Sequence, residues 1–259
     1  MSFKNTLLLG LTIALILMGC EQGKKNAKES ATSEELPVII PKILVFTKTQ
    51  GYRHQAIEKG VSTLQDLSKT NSFTIIQTEN SEDFNRENLK KYTLVIFLST
   101  TLDVLNELQQ QTFTEYINQG GNFMGVHAAS DTEYDWPWYG NLVGAYFKSH
   151  PEQQQATIEV VDRSHLSTKH LNETWIHFDE WYNFKSINPD INVLMQVDES
   201  SYTGGENGER HPIAWYHEYE GGRSFYTGLG HTEEAYDDPD FQQHLLGGIF
   251  YCLGRDDSN

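Results

Sequence analysis

Three histidines emerge at or beyond the ends of stretches that read as β-strands: His54 in Gly51-Tyr52-Arg53-His54, His127 in Gly125-Val126-His127-Ala128-Ala129, and His231 in Gly228-Leu229-Gly230-His231. Imidazole titrates near neutral pH and serves as base, acid or metal ligand. His127 lies where a strand enters a tight turn between small residues, the kind of elbow on which hydrolases raise a Ser or Cys. Ser130 is nearby but off that position, and reads as a turn or capping residue. His150 and His211 each precede a proline. His54, His127, His150 and His231 form a candidate non-contiguous site for a divalent metal such as zinc, which takes His and carboxylate ligands. No cofactor is certain. Each histidine also has a structural reading, and His211 reads equally well as the first residue of a strand.

Acids and rings add a second signal. The segment 131–139 combines three acids with four aromatic rings. Trp136 and Trp138 could face the apolar side of a sugar, with Asp131 beside them for proton transfer or hydroxyl binding. The same composition suits a packed loop whose acids cap a helix from Asn141 onward. Glu180 ends the alternating stretch 174–178 and is a candidate acid, base or sugar clamp; Asp179 would face the other way in an extended chain. One carboxylate pair does not define a glycosidase, because the separation across the sugar decides that chemistry. No strand–GxGxxG–helix dinucleotide site, phosphate loop or HExxH zinc motif occurs. His165, His170, His177, His217 and His244 are individually uninformative. Cys252, among apolar neighbours, reads as a buried inert thiol.

The elements that must position these groups alternate. Strands are expected at 43–47, 73–79, 93–99 and 122–127, with helices over 55–68 and 105–118 between them, where apolar residues recur at helical spacing. Near-continuous apolar strands suit a sheet covered by helices on both faces. Further strands are expected at 156–161, 191–197, 211–217 and 223–229, with a Gly-mediated hairpin after 217 and a C-terminal helix near 245–253. The expected fold class is α/β with an open, mainly parallel sheet and right-handed crossovers, extended by strands in the C-terminal half. Ligands gather beyond the carboxyl ends of such strands, where His54, His127 and His231 emerge.

The chain has 259 residues, 19 basic and 36 acidic, for a net charge of −17; 38% of residues are hydrophobic and 12% aromatic. That composition folds, and its negative charge argues against a nucleic-acid partner. Lys4 precedes an apolar run from Leu7 to Met18 that is too short for a comfortable membrane span. The run ends Leu17-Met18-Gly19-Cys20, which resembles the lipobox of bacterial lipoproteins. It implies a signal peptide over 1–19, a lipid anchor at Cys20, a flexible tether over 20–40 and a folded domain over 41–254. The cell envelope is the expected location, periplasmic or surface-exposed, with Glu21 compatible with the outer membrane of a Gram-negative cell.

From Pro41 to Gly254 the chain resembles the trehalose-utilisation (ThuA-like) family, on Gly51-Tyr52-Arg53-His54, the run 120–129, the run 147–151, His211-Pro212 and Gly228-Leu229-Gly230-His231. This implies a class I glutamine amidotransferase-like fold: a flavodoxin-like, three-layer, doubly wound sheet. Amidotransferase chemistry does not follow, because His127 stands where those enzymes carry a nucleophilic cysteine. The resemblance carries a carbohydrate expectation: an enzyme acting on a disaccharide or oxidised (keto) sugar as a glycoside hydrolase, lyase or isomerase. His127, Asp131, His150 and Glu180 are its candidate catalytic residues; His54, Trp136, Trp138, His211 and His231 are its candidate substrate contacts. A noncatalytic glycan-binding lipoprotein is the alternative, and a metal-dependent hydrolase of a non-sugar substrate a third reading. The sequence does not set the oligomeric state.

Overall fold

The structure, a computed structural model, describes residues 40–255. The expected signal segment 1–19, the Cys20 anchor and all but the last residue of the expected tether lie outside the described residues.

The first half alternates as expected: β1 (Lys42–Phe46), α1 (Ile57–Thr70), β2 (Thr74–Thr78), the short α2 (Arg86–Leu89), β3 (Leu94–Leu98), α3 (Glu107–Asn118) and β4 (Asn122–Val126). All five residues of β3, Leu-Val-Ile-Phe-Leu, are buried, as a strand covered on both faces must be. Burial of each such side chain contributes about 1.5–3 kcal/mol. β2 is an edge strand, and all five of its residues are at least partly exposed. The α3 N-terminus is closed by a reciprocal cap: the Asn106 side chain accepts from Gln109 N while the Gln109 side chain accepts from Asn106 N.

The second half holds α4 (Pro137–Val143), β5 (Tyr146–Ser149), β6 (Gln154–Val160), β7 (Thr174–Asp179), β8 (Asn183–Lys185), β9 (Asn192–Val197), β10 (Pro212–Tyr219), β11 (Gly222–Thr227) and α5 (Pro239–Cys252). α4 starts at Pro137 rather than Asn141, because proline is pre-set for the first helical position. The expected hairpin is present. Glu220 and Gly221, both at positive φ, turn β10 into β11, the conformation that a two-residue hairpin turn needs.

One nine-stranded sheet runs β2-β1-β3-β4-β11-β10-β9-β6-β7. β2, β1, β3, β4 and β11 pair in parallel; β10, β9, β6 and β7 continue antiparallel. With helices flanking the parallel part, this is the α/β architecture of flavodoxin-like and class I glutamine amidotransferase-like domains, with the extra strands in the C-terminal half. β5 and β8 form a separate two-stranded ribbon. Cys252 is buried with Sγ 3.3 Å from Phe123 O, and burial pushes its thiol up. It is inert packing.

Candidate metal and active site

β11 inserts beside β4 although about 95 residues of chain separate them, and Thr227 pairs with Val126. Leu98 of β3 pairs with Val126 from the other side. The carboxyl ends of β3, β4 and β11 therefore share one edge, and β1 ends there too through Phe46 and Phe97. His127 is the residue after β4 and has φ +51. A non-glycine residue in this left-handed region is strained, and such strain clusters at functional sites. The expected elbow is present.

The register puts Gly228 O 2.8 Å from His127 Nδ1. A carbonyl only accepts, so Nδ1 carries a hydrogen. Nε2 is the ring nitrogen that faces the cluster. His127 Nε2 lies 3.1 Å from His231 Nδ1 and 3.6 Å from Glu180 Oε2, and His231 Nδ1 lies 3.0 Å from Glu180 Oε2. The His54 ring stands 4.8 Å from the His127 ring and 5.0 Å from the His231 ring, nearly perpendicular to both. One ligand atom from each of His54, His127, Glu180 and His231 falls within 4.8 Å of the others.

These groups fit a divalent ion. Ligands held at zinc's usual bond lengths and tetrahedral angles stand about 3.3 Å apart; the three separations above are 3.0, 3.1 and 3.6 Å. His54 is 3% exposed, and its Nδ1 has no hydrogen-bond partner, a cost that a buried polar atom bears rarely. Burial, followed by the charges of His127 and His231, pushes His54 down to about 2, so it is neutral at pH 7. Burial pulls Glu180 up, but hydrogen bonds and charge from His127 and His231 outweigh it and hold the carboxyl below its ordinary range. The set is three imidazoles and one carboxylate, ordinary zinc chemistry. The Gly228 carbonyl orients His127 as outer-shell acceptors orient metal-bound histidines.

Glu180 follows β7, the far edge strand, and must be brought across the sheet end. Asp179 does this. Its carboxylate accepts Glu180 N and His231 N at 2.9 and 3.0 Å on Oδ1 and Gly230 N at 2.7 Å on Oδ2. Gly230 has φ +104, which presents both N–H groups to one carboxylate and favours glycine. Burial pushes Asp179 up, but the His177 hydrogen bond, the charges of His127 and His177 and the Gly230 N–H prevail and leave it low. The Tyr182 ring packs 4.3 Å from the His127 ring and 4.4 Å from the Phe147 ring, tying the β5–β8 ribbon to the cluster.

The expected residues are distributed unevenly. His54, His127 and His231 meet, and Glu180 joins them as the fourth group of the cluster that could hold a metal ion. His150 does not; its Nδ1 lies 3.1 Å from Glu180 Oε1, behind the carboxylate, on a side chain 43% exposed. Asp131 is outside the ligand set, accepting from Tyr134 Oη at 2.5 Å, and burial pushes its carboxyl up. Trp136 and Trp138 are not at the site. They stack on each other at 5.0 Å, and Trp138 Nε1 donates to Glu220 in the β10–β11 turn at 2.7 Å. That turn begins β11, at the opposite end of the sheet from His127. His211 lies outside the cluster and is fully buried, with Nδ1 2.8 Å from Glu199 Oε1 and Nε2 2.7 Å from Tyr182 O. It supports Tyr182 instead. Sequence reasoning missed Tyr182, the three-way acceptance by Asp179, and Tyr52, whose ring is 62% exposed and edge-on to His54 at 4.8 Å.

Residues 42–252 match the family model for trehalose utilisation, ThuA. No curated protein matches the chain. Among solved structures, a putative ThuA-like protein from Bacteroides uniformis is 22% identical with a TM-score of 0.71, over 88% of this chain and 97% of that one. A second, from Parabacteroides merdae, is 22% identical with a TM-score of 0.70, over 85% and 92%. A β-galactosidase from Bacillus circulans sp. alkalophilus shares the fold at 14% identity and a TM-score of 0.56, over 83% of this chain and 31% of that one. These likenesses support the fold, and the match over nearly the whole described domain assigns the chain to the ThuA trehalose-utilisation family.

Proposed function

We propose that this chain is a carbohydrate-processing enzyme that acts on a disaccharide or keto sugar, with His54, His127, Glu180 and His231 as the ligands of a divalent metal. The observation that carries the reading is the convergence of these four side chains within 4.8 Å at the carboxyl edge of the parallel strands. The family's association with trehalose utilisation supports the substrate class. A divalent ion held by these four groups would polarise a sugar carbonyl or hydroxyl oxygen by taking it as a fifth ligand.

The chain's own residues supply the proton path. His150 Nδ1 faces two acceptors, Glu180 Oε1 at 3.1 Å and Pro151 O at 2.9 Å, so it carries hydrogen. His150 is also the more exposed partner, and it is the group placed to pass a proton to or from the reacting sugar. On a keto sugar, loss of a proton beside the carbonyl leads to elimination or isomerisation; on a glycoside, protonation of the leaving oxygen leads to hydrolysis. Help of this kind is worth about 10²–10⁴ in rate. The Leu17-Met18-Gly19-Cys20 run supports a lipid anchor and an envelope location as part of the same reading; radiolabelled palmitate entering the wild type but not Cys20→Ala would test it.

The deciding experiment is a product-resolved screen of ordinary and oxidised disaccharides, with and without added zinc. Turnover that requires metal and vanishes in His127→Ala is expected. Full turnover in His127→Ala would overturn the reading.

A further inference from the structure

A small cavity adjoins the cluster. Its volume is about 220 Å³, and His231 is one wall. Tyr52, Gln55, Gln153, Thr232 and Glu233 line the rest with Glu234. Clefts that take a drug-sized ligand measure about 300–1,000 Å³, so this one holds a single ring rather than a disaccharide. No Lys or Arg is among the described residues that line it. Of the nearest cations, Arg53 is paired with Glu58 and Glu79, and Lys59 with Asp237.

We infer that this cavity is a subsite for one neutral sugar ring, stacked on Tyr52, with its hydroxyls met by Gln55, Gln153 and Glu233; the inference rests on the carbohydrate reading above and adds the position and charge class of the substrate. Three features converge on it. Tyr52 is a large aromatic residue left 62% exposed, and an exposed aromatic ring can meet the apolar side of a pyranose. Its ring lies 4.8 Å from the His54 ring and nearly perpendicular to it, so a sugar seated on it lies beside the proposed metal ligands. The remaining lining consists of amides, a hydroxyl and two carboxylates, which accept hydrogen bonds from sugar hydroxyls and repel phosphate or carboxylate groups. The chain's net charge of −17 acts in the same direction. This role replaces the one expected for Trp136 and Trp138.

The test is calorimetric titration of the full chain with methyl α-glucoside, trehalose and glucose 6-phosphate, for wild type, Tyr52→Ala and Tyr52→Phe, alongside turnover. Tyr52 is exposed and outside the core, so both variants fold. The neutral sugars are expected to bind, with about tenfold loss in Tyr52→Ala and near-wild-type affinity in Tyr52→Phe. Glucose 6-phosphate is expected to bind at least about tenfold more weakly than methyl α-glucoside. Unchanged affinity in Tyr52→Ala, or equal or tighter binding of the phosphorylated sugar, overturns the subsite. The two readings fail separately. Tyr52-dependent binding without turnover on any sugar keeps the subsite and sinks the enzyme, whereas turnover with an unchanged KM in Tyr52→Ala keeps the enzyme and sinks the subsite.

Discussion

Asp179 and His231 meet through the main chain: the Asp179 carboxylate accepts the His231 amide at 3.0 Å while also holding the amides of Gly230 and Glu180. One buried carboxylate thus sets the spacing between two cluster members that arrive from strands at different places in the sheet. Asp179→Asn replaces an acceptor oxygen with an N–H donor facing those amides. Zinc affinity measured by competition with a chelator is expected to fall about 10-fold or more, in the range found for outer-shell substitutions. Unchanged zinc affinity would show that the spacing does not depend on Asp179.

The four ligand positions and His150 are expected to separate. His54→Ala, His127→Ala, His231→Ala and Glu180→Gln should each lose bound metal, read by elemental analysis of the purified chain. His150→Ala should keep its metal and lose about 10²–10⁴ in turnover, the scale of general acid–base help. Loss of metal in His150→Ala would make it a ligand and move Glu180 outward.

Acid should destabilise the fold before carboxylates titrate. Burial pushes His244 down to about 3 and His165 down to about 4, from 6.5. Both are neutral in the folded state through this range, whereas the unfolded chain takes up their protons below about 6.5. Their contribution is therefore fully present above pH 6.5 and is lost as pH falls towards 4 and 3, at up to about 1.4 kcal/mol per pH unit for each proton. His244 Nδ1 donates to Ser167 O at 2.9 Å, a bond that an Asn amide can replace. Urea unfolding of His244→Asn is expected to show a shallower fall between pH 6 and 4 by about one proton.

Trp138→Phe removes the hydrogen bond to Glu220 and leaves most of the ring stack. A stability loss of about 1 kcal/mol is expected, with KM unchanged on any sugar substrate. A raised KM would return Trp138 to the substrate site.

The strands β1, β3 and β4 are legible in the sequence because helices cover both faces, and such strands must be apolar throughout. The meeting of His54, His127 and His231 is legible for a related reason: the segments that leave the carboxyl ends of parallel strands share an edge. Glu180, expected as an acid, base or sugar clamp, joins the cluster, while His150, expected as a possible metal ligand, stands beside it; neither follows a parallel strand. Glu180 comes from the antiparallel edge, and its place is set by Asp179 reaching Gly230 and His231. His150 belongs to the β5–β8 ribbon, which has only seven residues in strand and no strong apolar pattern. Trp136 and Trp138 show the limit of composition. Rings beside acids suit both a sugar and a packed loop, and only the sheet's direction reveals which end they occupy.

The insertion of β11 between β4 and β10 also governs how the chain is born. On the ribosome β4 emerges about 95 residues before its neighbour, leaving the edge of a strand that is fully buried in the finished fold open for the interval. Pairings this distant in sequence form slowly and expose edges that aggregate. The His127 elbow can acquire its Gly228 carbonyl and its His231 neighbour only after residue 231 has been made. A chain stopped before residue 222 therefore lacks β11, the Gly228 acceptor and His231, and holds His54, His127 and Glu180 without the strand that brings the cluster together.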